Sequence, residues 1–219
     1  MNILDAGSVR LVEYWGSDEA IIRSARMSTN KGFNGWDKDA GLLRYLYTHQ
    51  HMTPFEMAGA IFEVKAPIFV FRAWHRHRPQ SNNEMSARYI PLPDENYIPT
   101  KDRLYANQGT TNKQAQGAKQ LDTISALRWL AELERFYEGS QYLYQRGLAI
   151  GVPKELARLC VPVARYSKMR ASANLRNWLG FLTLRQAEDA QWEIRQYADA
   201  VGAEIAQLFP RTWELFKGE

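Results

Sequence analysis

The chain is organised around Arg76-His77-Arg78-Pro79-Gln80-Ser81-Asn82-Asn83-Glu84-Met85-Ser86-Ala87-Arg88-Tyr89. This stretch combines arginines and a histidine with a carboxylate and several hydroxyl and amide side chains, and almost no apolar residue interrupts them. A guanidinium group binds phosphate or carboxylate through two parallel hydrogen bonds, while Ser, Asn and Glu can orient a ring or a sugar. We therefore expect the stretch to form the floor of a binding site for an anionic small molecule.

The composition is that of a globular protein. The 219 residues are 45% hydrophobic and 24% charged, which is enough to bury a sizeable core. No apolar run reaches the roughly 18 residues that a membrane helix needs, and the N-terminus lacks a signal-peptide pattern. A single cysteine, Cys160, excludes an internal disulfide and a cysteine-based zinc site. These features predict a cytoplasmic protein with no membrane partner.

The net charge of +4 is mildly basic. Such an excess suits anionic small ligands as well as it suits nucleic acid. A basic module that binds nucleic acid is therefore an alternative function. It would need a continuous basic surface and a binding affinity that falls steeply with salt, whereas most arginines here alternate with hydrogen-bond acceptors.

The residue pattern predicts alternating strands and helices. We expect strands over Val9–Trp15 and Ala60–Ala66, and strand or extended chain over Pro162–Ser172. Helices are expected from the Ser17 cap to Met27, from Asp37, over Ile68–Trp74, Lys119–Arg146, near Lys154, over Asn174–Arg185 and over Ala187–Leu208. Residues 92 to 120 are rich in Pro, Gly, Asn and Gln, and they predict an exposed, flexible loop.

Local patterns add three expectations. Thr53-Pro54-Phe55-Glu56 has the form of a capping box with proline at the first helical position, and helix initiation alone would explain it as well as a ligand role does. Arg72 and Arg76 are expected to share one helical face. In extended chain, Glu84, Ser86 and Arg88 would alternate onto one face as a frame for a nucleotide, although Glu84 and Arg88 could simply pair with each other.

Several kinds of chemistry are not indicated. His49 and His51 are two residues apart and no acidic cluster accompanies them, so no metal site is predicted. Cys160 lies in an apolar run and is most simply a packed thiol. No glycine-rich dinucleotide or P-loop pattern exists. Without a metal or an activated nucleophile, a redox or transfer reaction needs an organic cofactor.

The motif Arg76-His77-Arg78-x-x-Ser81-x-Asn83-Glu84-x-Ser86-x-Arg88-Tyr89 resembles the signature of the flavin-dependent thymidylate synthases. Further family-like segments include Ala25-Arg26-Met27-Ser28, His51-x-Thr53-Pro54-Phe55-Glu56, Asn174-Leu175-Arg176 and Ala190-Gln191-Trp192. The resemblance implies an α/β fold with a central, mostly antiparallel sheet flanked by long helices. It also implies one domain over residues 1–219 and a homotetramer whose active sites are shared between subunits.

The resemblance implies a specific reaction. It is the methylation of dUMP to dTMP with methylenetetrahydrofolate as carbon donor, in which FAD reduced by NADPH carries the hydride and no enzyme cysteine attacks the pyrimidine. The resemblance makes Arg185 the catalytic residue that favours ionisation of the uracil ring, and a guanidinium beside the ring would stabilise that negative charge.

The resemblance also assigns binding residues position by position. The flavin-side residues are Ser28, His51, Thr53, Glu56, Arg76, His77, Arg78, Asn83, Glu84, Asn174, Arg176 and Gly180. The nucleotide-side residues are Ala73, Trp74, His75, Arg76, Glu84, Met85, Ser86, Ala87, Arg88, Arg158 and Arg185. No residue is assigned to a metal.

Three positions depart from the family pattern. Ala73 stands where a glutamine commonly precedes the tryptophan, so one side-chain contact to dUMP is absent. Gly180 occupies a position often held by asparagine, and Asp189 replaces a frequent histidine. These departures raise a further alternative, a catalytically silent homologue that binds flavin or nucleotide.

Overall fold

The computed structural model describes residues 1–105 and 121–218. Within them, five strands form one sheet in the order β1-β2-β3-β5-β4, and each neighbouring pair runs antiparallel. The strands are β1 (Asn2–Ile3), β2 (Gly7–Trp15), β3 (Gly59–Pro67), β4 (Ser81–Glu84) and β5 (Tyr166–Asn174). The predicted α/β class with a mostly antiparallel sheet is confirmed.

Helices connect and cover the strands. They are α1 (Asp18–Arg26), α2 (Trp36–Thr48), α3 (Ile68–Trp74), α4 (Lys101–Tyr105), α5 (Thr123–Ala149), α6 (Lys154–Ala157), α7 (Leu175–Arg185), α8 (Trp192–Leu208) and α9 (Pro210–Lys217). Short 3-10 helices span Met27–Thr29, Thr53–Met57 and Arg158–Cys160. Among the described helices, none is both long and apolar enough to cross a membrane.

The core lies between the sheet and the helices α1, α3, α7 and α8. Phe62 of β3 meets Trp178 of α7 edge to face with ring centroids 5.1 Å apart, and Trp74 of α3 lies 4.5 Å from Phe181. Burial of each such side chain stabilises the fold by roughly 1.5–3 kcal/mol. The aromatic core therefore fixes α3, which leads into the motif stretch, and α7, which carries Arg185.

The strongest local patterns predict the elements well. Ser17 caps α1 by accepting a hydrogen bond from the Ala20 backbone, and Asn174 caps α7 by accepting one from the Asn177 backbone. Both caps satisfy backbone donors that a helix start leaves free. The expected helix over Ile68–Trp74 also forms, with Pro67 preceding it.

The capping-box expectation at Thr53 is wrong. Thr53 lies inside the 3-10 helix Thr53–Met57, which Met52 precedes without a side-chain cap. Ala58 is already extended, and its carbonyl accepts a hydrogen bond from the Leu175 backbone. The entry into β3 therefore leaves no room for an α-helix after Pro54.

Two expectations around the motif stretch are also wrong. Helix α3 ends at Trp74, and the His77 backbone then donates to the Trp74 carbonyl in a turn, so Arg72 and Arg76 do not share a helical face. Strand β4 ends at Glu84, and residues 86–89 form a turn in which the Tyr89 backbone donates to the Ser86 carbonyl. The alternation of Glu84, Ser86 and Arg88 is therefore broken after its first member.

The predicted loop of residues 92–120 is ordered over its first part. Tyr97 is buried and its backbone donates to the Ala164 carbonyl, and α4 follows it. The Arg165 side chain, which has no exposed surface, contacts the Pro93 carbonyl at 2.7 Å and Gln141 Oε1 at 2.9 Å. Residues 92–105 are therefore packed onto β5 and α5, and the rest of the predicted loop lies outside the described residues.

The starts of one strand and one helix differ from those expected, and one further helix is present. Strand β5 starts at Tyr166, because the Arg165 backbone first closes a turn onto the Pro162 carbonyl. Helix α8 starts at Trp192, not at Ala187, and α9 was not predicted at all. Pro210 ends one helix and begins the next, since proline favours a first helical turn.

Helix α2 ends in a Schellman turn. The His51 backbone donates to the Leu46 carbonyl and the Gln50 backbone donates to the Tyr47 carbonyl. Gln50 has a φ of 58°, the left-handed conformation that this position requires and that glycine usually supplies. The turn fixes the direction in which His51 leaves the helix.

Candidate functional site

Arg185 lies in the last turn of α7 and two neutral acceptors hold it. Its Nε donates to Nε2 of His77 at 2.8 Å, and its Nη2 donates to the carbonyl oxygen of Ala73 at 3.0 Å. No carboxylate among residues 1–105 and 121–218 forms an ion pair with it. Burial, and then the positive charge of Arg76, lowers the pKa of Arg185 from its usual value. The cluster of Ala73, His77 and Arg185, called here the Arg185 cluster, presents a positive charge without a compensating acid.

His77 is half-buried, and its ring meets Phe181 edge to face at a centroid distance of 4.9 Å. Burial and the adjacent Arg185 charge lower the pKa of His77 to about 4. The imidazole is therefore neutral near pH 7. Because Nε2 accepts from Arg185, the ring proton is assigned to Nδ1.

A second group of predicted residues meets at the start of α7. Arg176 Nη1 lies 2.5 Å from Glu56 Oε1, which joins the helix to the 3-10 turn of Thr53–Met57. The Asn177 amide donates to the Pro79 carbonyl at 3.2 Å. Asn174, Arg176 and Glu56 are thus brought together, next to the turn that precedes β4.

A groove of about 450 Å³ lies over the edge of the sheet. His75 Nε2 lies 3.1 Å from Met169 Sδ and 4.0 Å from Glu84 Oε2 at this edge. The groove brings together predicted residues in and just after β4 with side chains of β3 and β5: Glu63, Asn83, Glu84, Met85, Lys168, Met169 and Arg170.

A separate pocket of about 360 Å³ contains Arg88. Arg88 Nε lies 3.4 Å from Glu155 Oε2, and Arg158 Nε donates to the Glu155 carbonyl at 3.4 Å. Lys154 Nζ donates to the Tyr89 carbonyl at 2.8 Å. This Arg88 pocket is therefore lined by Arg88 and Lys154 beside the exposed Glu155 carboxylate, whereas Arg158 lies next to it and contacts only the Glu155 backbone.

Other predicted residues lie apart from these contacts. Trp74 and Ala87 are buried, and the Trp74 indole donates to Gln80 Oε1 at 2.8 Å, so their side chains serve the core. The remaining predicted residues are exposed or half-buried: Ser28 beside α1, His51 and Thr53 after α2, Arg76 and Arg78 in the turn after α3, Ser86 after β4, and Gly180 on α7. Arg76 and Arg78 form no ion pair with a described carboxylate.

The structure adds residues that were not predicted. They are Phe181 under His77, Asn177 at the start of α7, Met169 and Arg170 in the groove, and Lys154 and Glu155 in the Arg88 pocket. Each reaches its place through long-range pairing, such as the register that sets Asn83 opposite Arg170. Such pairing leaves no local signal in the sequence. In the described part of the chain, no three His, Cys, Asp or Glu side chains are grouped to hold a metal ion.

Comparison with known proteins decides the family. Residues 10–211 match the family model of the Thymidylate synthase complementing protein. A flavin-dependent thymidylate synthase of Thermus thermophilus is 42% identical over 215 residues, which covers 98% of this chain and 77% of that protein. The chain belongs to the flavin-dependent thymidylate synthase family. The predicted family is therefore confirmed.

Two further proteins are similar to this chain over comparable lengths. A flavin-dependent thymidylate synthase of Thermosipho africanus is 39% identical, and the alignment covers 98% of this chain and 92% of that protein. The crystal structure of a UMP/dUMP methylase, PolB, from Streptomyces cacaoi superimposes with a TM-score of 0.87 at 34% identity. That alignment covers 100% of this chain and 97% of PolB, which is bound with 5-Br dUMP. Membership makes the chain a flavin-dependent methyltransferase by family.

Proposed function

We propose that this protein methylates dUMP to dTMP, with methylenetetrahydrofolate as carbon donor and with FAD reduced by NADPH. The observation that carries the proposal is the Arg185 guanidinium, which two neutral acceptors hold in a chain that matches the family almost from end to end. A cation without an acidic partner is suited to a ligand that becomes negatively charged during reaction.

The residues around α7 fit a flavin nucleotide. Arg76 and Arg78 form no ion pair with a described carboxylate, so they can bind the phosphates of FAD without giving up an internal pair. When bound, FAD would supply the hydride. The chain's own part is to hold it, and we assign this to the flavin-side residues predicted above, with the Glu56–Arg176 pair supporting the start of α7.

The Arg88 pocket fits the phosphate of a nucleotide. Arg88 and Lys154 line it, Arg158 lies one helical turn beyond Lys154, and the nucleotide phosphate would replace the Glu155 carboxylate on Arg88. The groove at Glu84 and Met85 would take the rest of the nucleotide. A carboxylate such as Glu84 is suited to accept hydrogen bonds from a sugar hydroxyl or a ring N–H.

We assign activation of the pyrimidine to Arg185 alone. Its positive charge would stabilise the negative charge that develops on the uracil ring. This step needs no thiol, and the surroundings of Cys160 agree with a structural role for that side chain. Its half-buried Sγ donates to the Ala157 carbonyl at 3.3 Å, in the 3-10 helix that packs against α5.

We propose one domain over residues 1–219 that assembles into a homotetramer with shared active sites. The surface of α5 and its C-cap supports assembly, because Trp129, Phe136, Leu143 and the C-cap Ile150 recur every seven residues and are 46%, 57%, 57% and 72% exposed. Apolar side chains at this spacing pack against another helix. We define this set as the α5 stripe, and a second copy of the chain would cover it.

UMP is a second candidate substrate. The structural similarity to a UMP/dUMP methylase covers nearly all of both chains, which favours a comparable nucleotide site. Comparing kcat/KM for UMP and dUMP decides between them. A preference for UMP would assign the nucleotide site to ribonucleotides.

The visible spectrum of the purified protein tests the proposal. We expect flavin absorbance that NADPH bleaches, NADPH oxidation that dUMP stimulates, and dTMP formation when all substrates are present. Protein that stays colourless after incubation with FAD would refute the assignment. Flavin binding without dTMP formation would instead identify a silent homologue. A steep salt dependence of DNA binding would favour the nucleic-acid alternative.

A further inference from the structure

Arg185 has a long side chain whose direction depends on what holds it. Free rotation about its bonds would let the guanidinium swing away from a ligand, and such loss of orientation is costly in catalysis. Two hydrogen bonds on one edge, to His77 Nε2 and to the Ala73 carbonyl, fix both the position and the plane of the group. One bond alone would leave the plane free to turn.

His77 is itself held on two sides. Phe181 packs against its ring edge to face, and the turn after α3 fixes its backbone through a hydrogen bond from the His77 N–H to the Trp74 carbonyl. Phe181 and Arg185 both belong to α7, one turn apart. The His77 ring therefore lies between Phe181 of the aromatic core and the Arg185 guanidinium.

We propose that His77 is the positioning residue of Arg185, and that its Nε2 lone pair holds the guanidinium in the plane needed to face the pyrimidine. The inference deepens the proposed function and rests on it, since it takes Arg185 as the group that acts on the nucleotide. It gives His77 a role in nucleotide activation in addition to the flavin contact expected from its motif.

The position of the acceptor matters more than the presence of a ring. A glutamine side chain can place its Oε1 near the site of Nε2, whereas an asparagine reaches only as far as Nδ1. His77→Gln should therefore rebuild the acceptor, and His77→Asn should remove it while keeping a polar amide. The depressed pKa of His77 is consistent with this role, because only the neutral ring can accept from Arg185.

A double-mutant cycle tests the inference with the FAD-loaded protein. His77→Asn and Arg185→Lys are made singly and together, and kcat for dTMP formation is measured with the dissociation constants for dUMP and FAD. We expect His77→Asn to lower kcat about 10- to 100-fold. We expect His77→Gln to recover to within about fivefold of wild type, and His77→Asn to cost nothing further once Arg185 is lysine.

His49→Asn is the matched control, because His49 is exposed and lies outside the Arg185 cluster. It should leave kcat unchanged in both backgrounds. If His77→Asn does not fold, His77→Phe takes its place in the same cycle.

Additive losses in the double mutant would overturn the inference, because they would show that His77 acts through the flavin or the fold. The same holds if His77→Gln is as impaired as His77→Asn. Wild-type protein that binds dUMP but forms no dTMP would refute the proposed function alone. The coupling between His77 and Arg185 is then measured from the dUMP dissociation constants of the single and double mutants. Wild-type protein that does not bind dUMP would overturn both.

Discussion

Arg185 is a charged side chain whose fixed contacts are all neutral. Other partly buried arginines have an acid, such as Arg26 with Asp39 and Arg103 with Glu193. Arg185 has a carbonyl and an imidazole instead. The desolvation of its charge is therefore compensated only in part by the protein, which leaves a net attraction for an anionic ligand.

Replacement of Arg185 by alanine should reduce dTMP formation by about 100-fold or more, since the group proposed to stabilise negative charge on the pyrimidine is lost. Flavin absorbance should remain, because the proposed phosphate contacts lie on other residues. Steady-state turnover and the visible spectrum measure the two effects. Arg128→Ala, on the exposed part of α5, is the control. Near-normal turnover of Arg185→Ala would exclude the assigned role.

His77 should make stability depend on pH in the acid range. Its pKa is lowered to about 4 in the folded state, against roughly 6.5 in an unfolded chain. Between these values the unfolded chain binds a proton that the folded protein does not, so the free energy of unfolding falls as pH falls from about 6.5 to 4. After allowance for partial exposure, we expect a loss on the order of 1–2 kcal/mol.

Urea denaturation midpoints at pH 7.5 and pH 5 measure this effect. His77→Gln should flatten the pH dependence, whereas His49→Gln should leave it as in the wild type. An unchanged slope in His77→Gln would mean that the His77 pKa is not depressed in the folded protein.

At the scale of elements, the short helix α6 and the turn after β4 form the two sides of the Arg88 pocket. Glu155 of α6 and Arg88 of the turn are about equally exposed, at 55% and 57% of their side chains. An exposed pair of this kind is worth about 0–1 kcal/mol. A nucleotide phosphate can therefore displace Glu155 at little cost.

Removal of the Glu155 charge should tighten nucleotide binding. We expect Glu155→Gln to lower the dUMP dissociation constant by about two- to fivefold, the range that an exposed ion pair allows. Isothermal titration calorimetry measures it. Glu132→Gln, an equal charge change on an exposed part of α5, should have no effect. Weaker binding in Glu155→Gln would show that the carboxylate contacts the ligand.

Local chemistry in the sequence predicted some elements and not others. Ser17 and Asn174 are good caps in any context, so α1 and α7 were predicted at the right places. The Thr53 pattern failed because the start of β3 competes for the same residues, and β4 ended early because Ser86 begins a turn. Cap propensity acts locally, whereas strand pairing depends on partners distant in the chain.

The candidate site also combines residues that a local pattern predicts with contacts between residues distant in the chain. The motif predicts that Arg76 to Arg88 bind ligands, and the resemblance adds Arg185 to that prediction. The hydrogen bond between His77 and Arg185 joins residues 108 positions apart, so nothing near either residue in the sequence indicates it. Glu155 was missed for a similar reason, because only the folded turn after β4 brings Arg88 to it.

At the scale of the whole molecule, the α5 stripe is an apolar surface that a single chain leaves exposed to solvent. Phe136→Glu should place a charge inside the proposed interface and shift the protein to smaller assemblies. FAD occupancy should fall with it if the active sites are shared between subunits. Sedimentation velocity and the flavin-to-protein absorbance ratio measure the two effects.

Gln145→Glu is the control for this variant, because it adds the same charge on an exposed position of α5 outside the stripe. It should keep the wild-type assembly. An unchanged assembly in Phe136→Glu would exclude the α5 stripe as the contact between copies, and a fully active monomer would exclude shared sites.

The Schellman turn at the end of α2 offers a route to a more heat-tolerant protein. Gln50 holds a left-handed conformation that costs a residue with a side chain about 1 kcal/mol, and glycine adopts it freely. Gln50→Gly should therefore raise the melting temperature by about 2–4 °C in a calorimetric scan. Gln145→Gly, inside α5, should lower it. Because the same turn directs His51, unchanged turnover at a higher melting temperature would show that activity depends on the shape of this loop and not on the glutamine side chain.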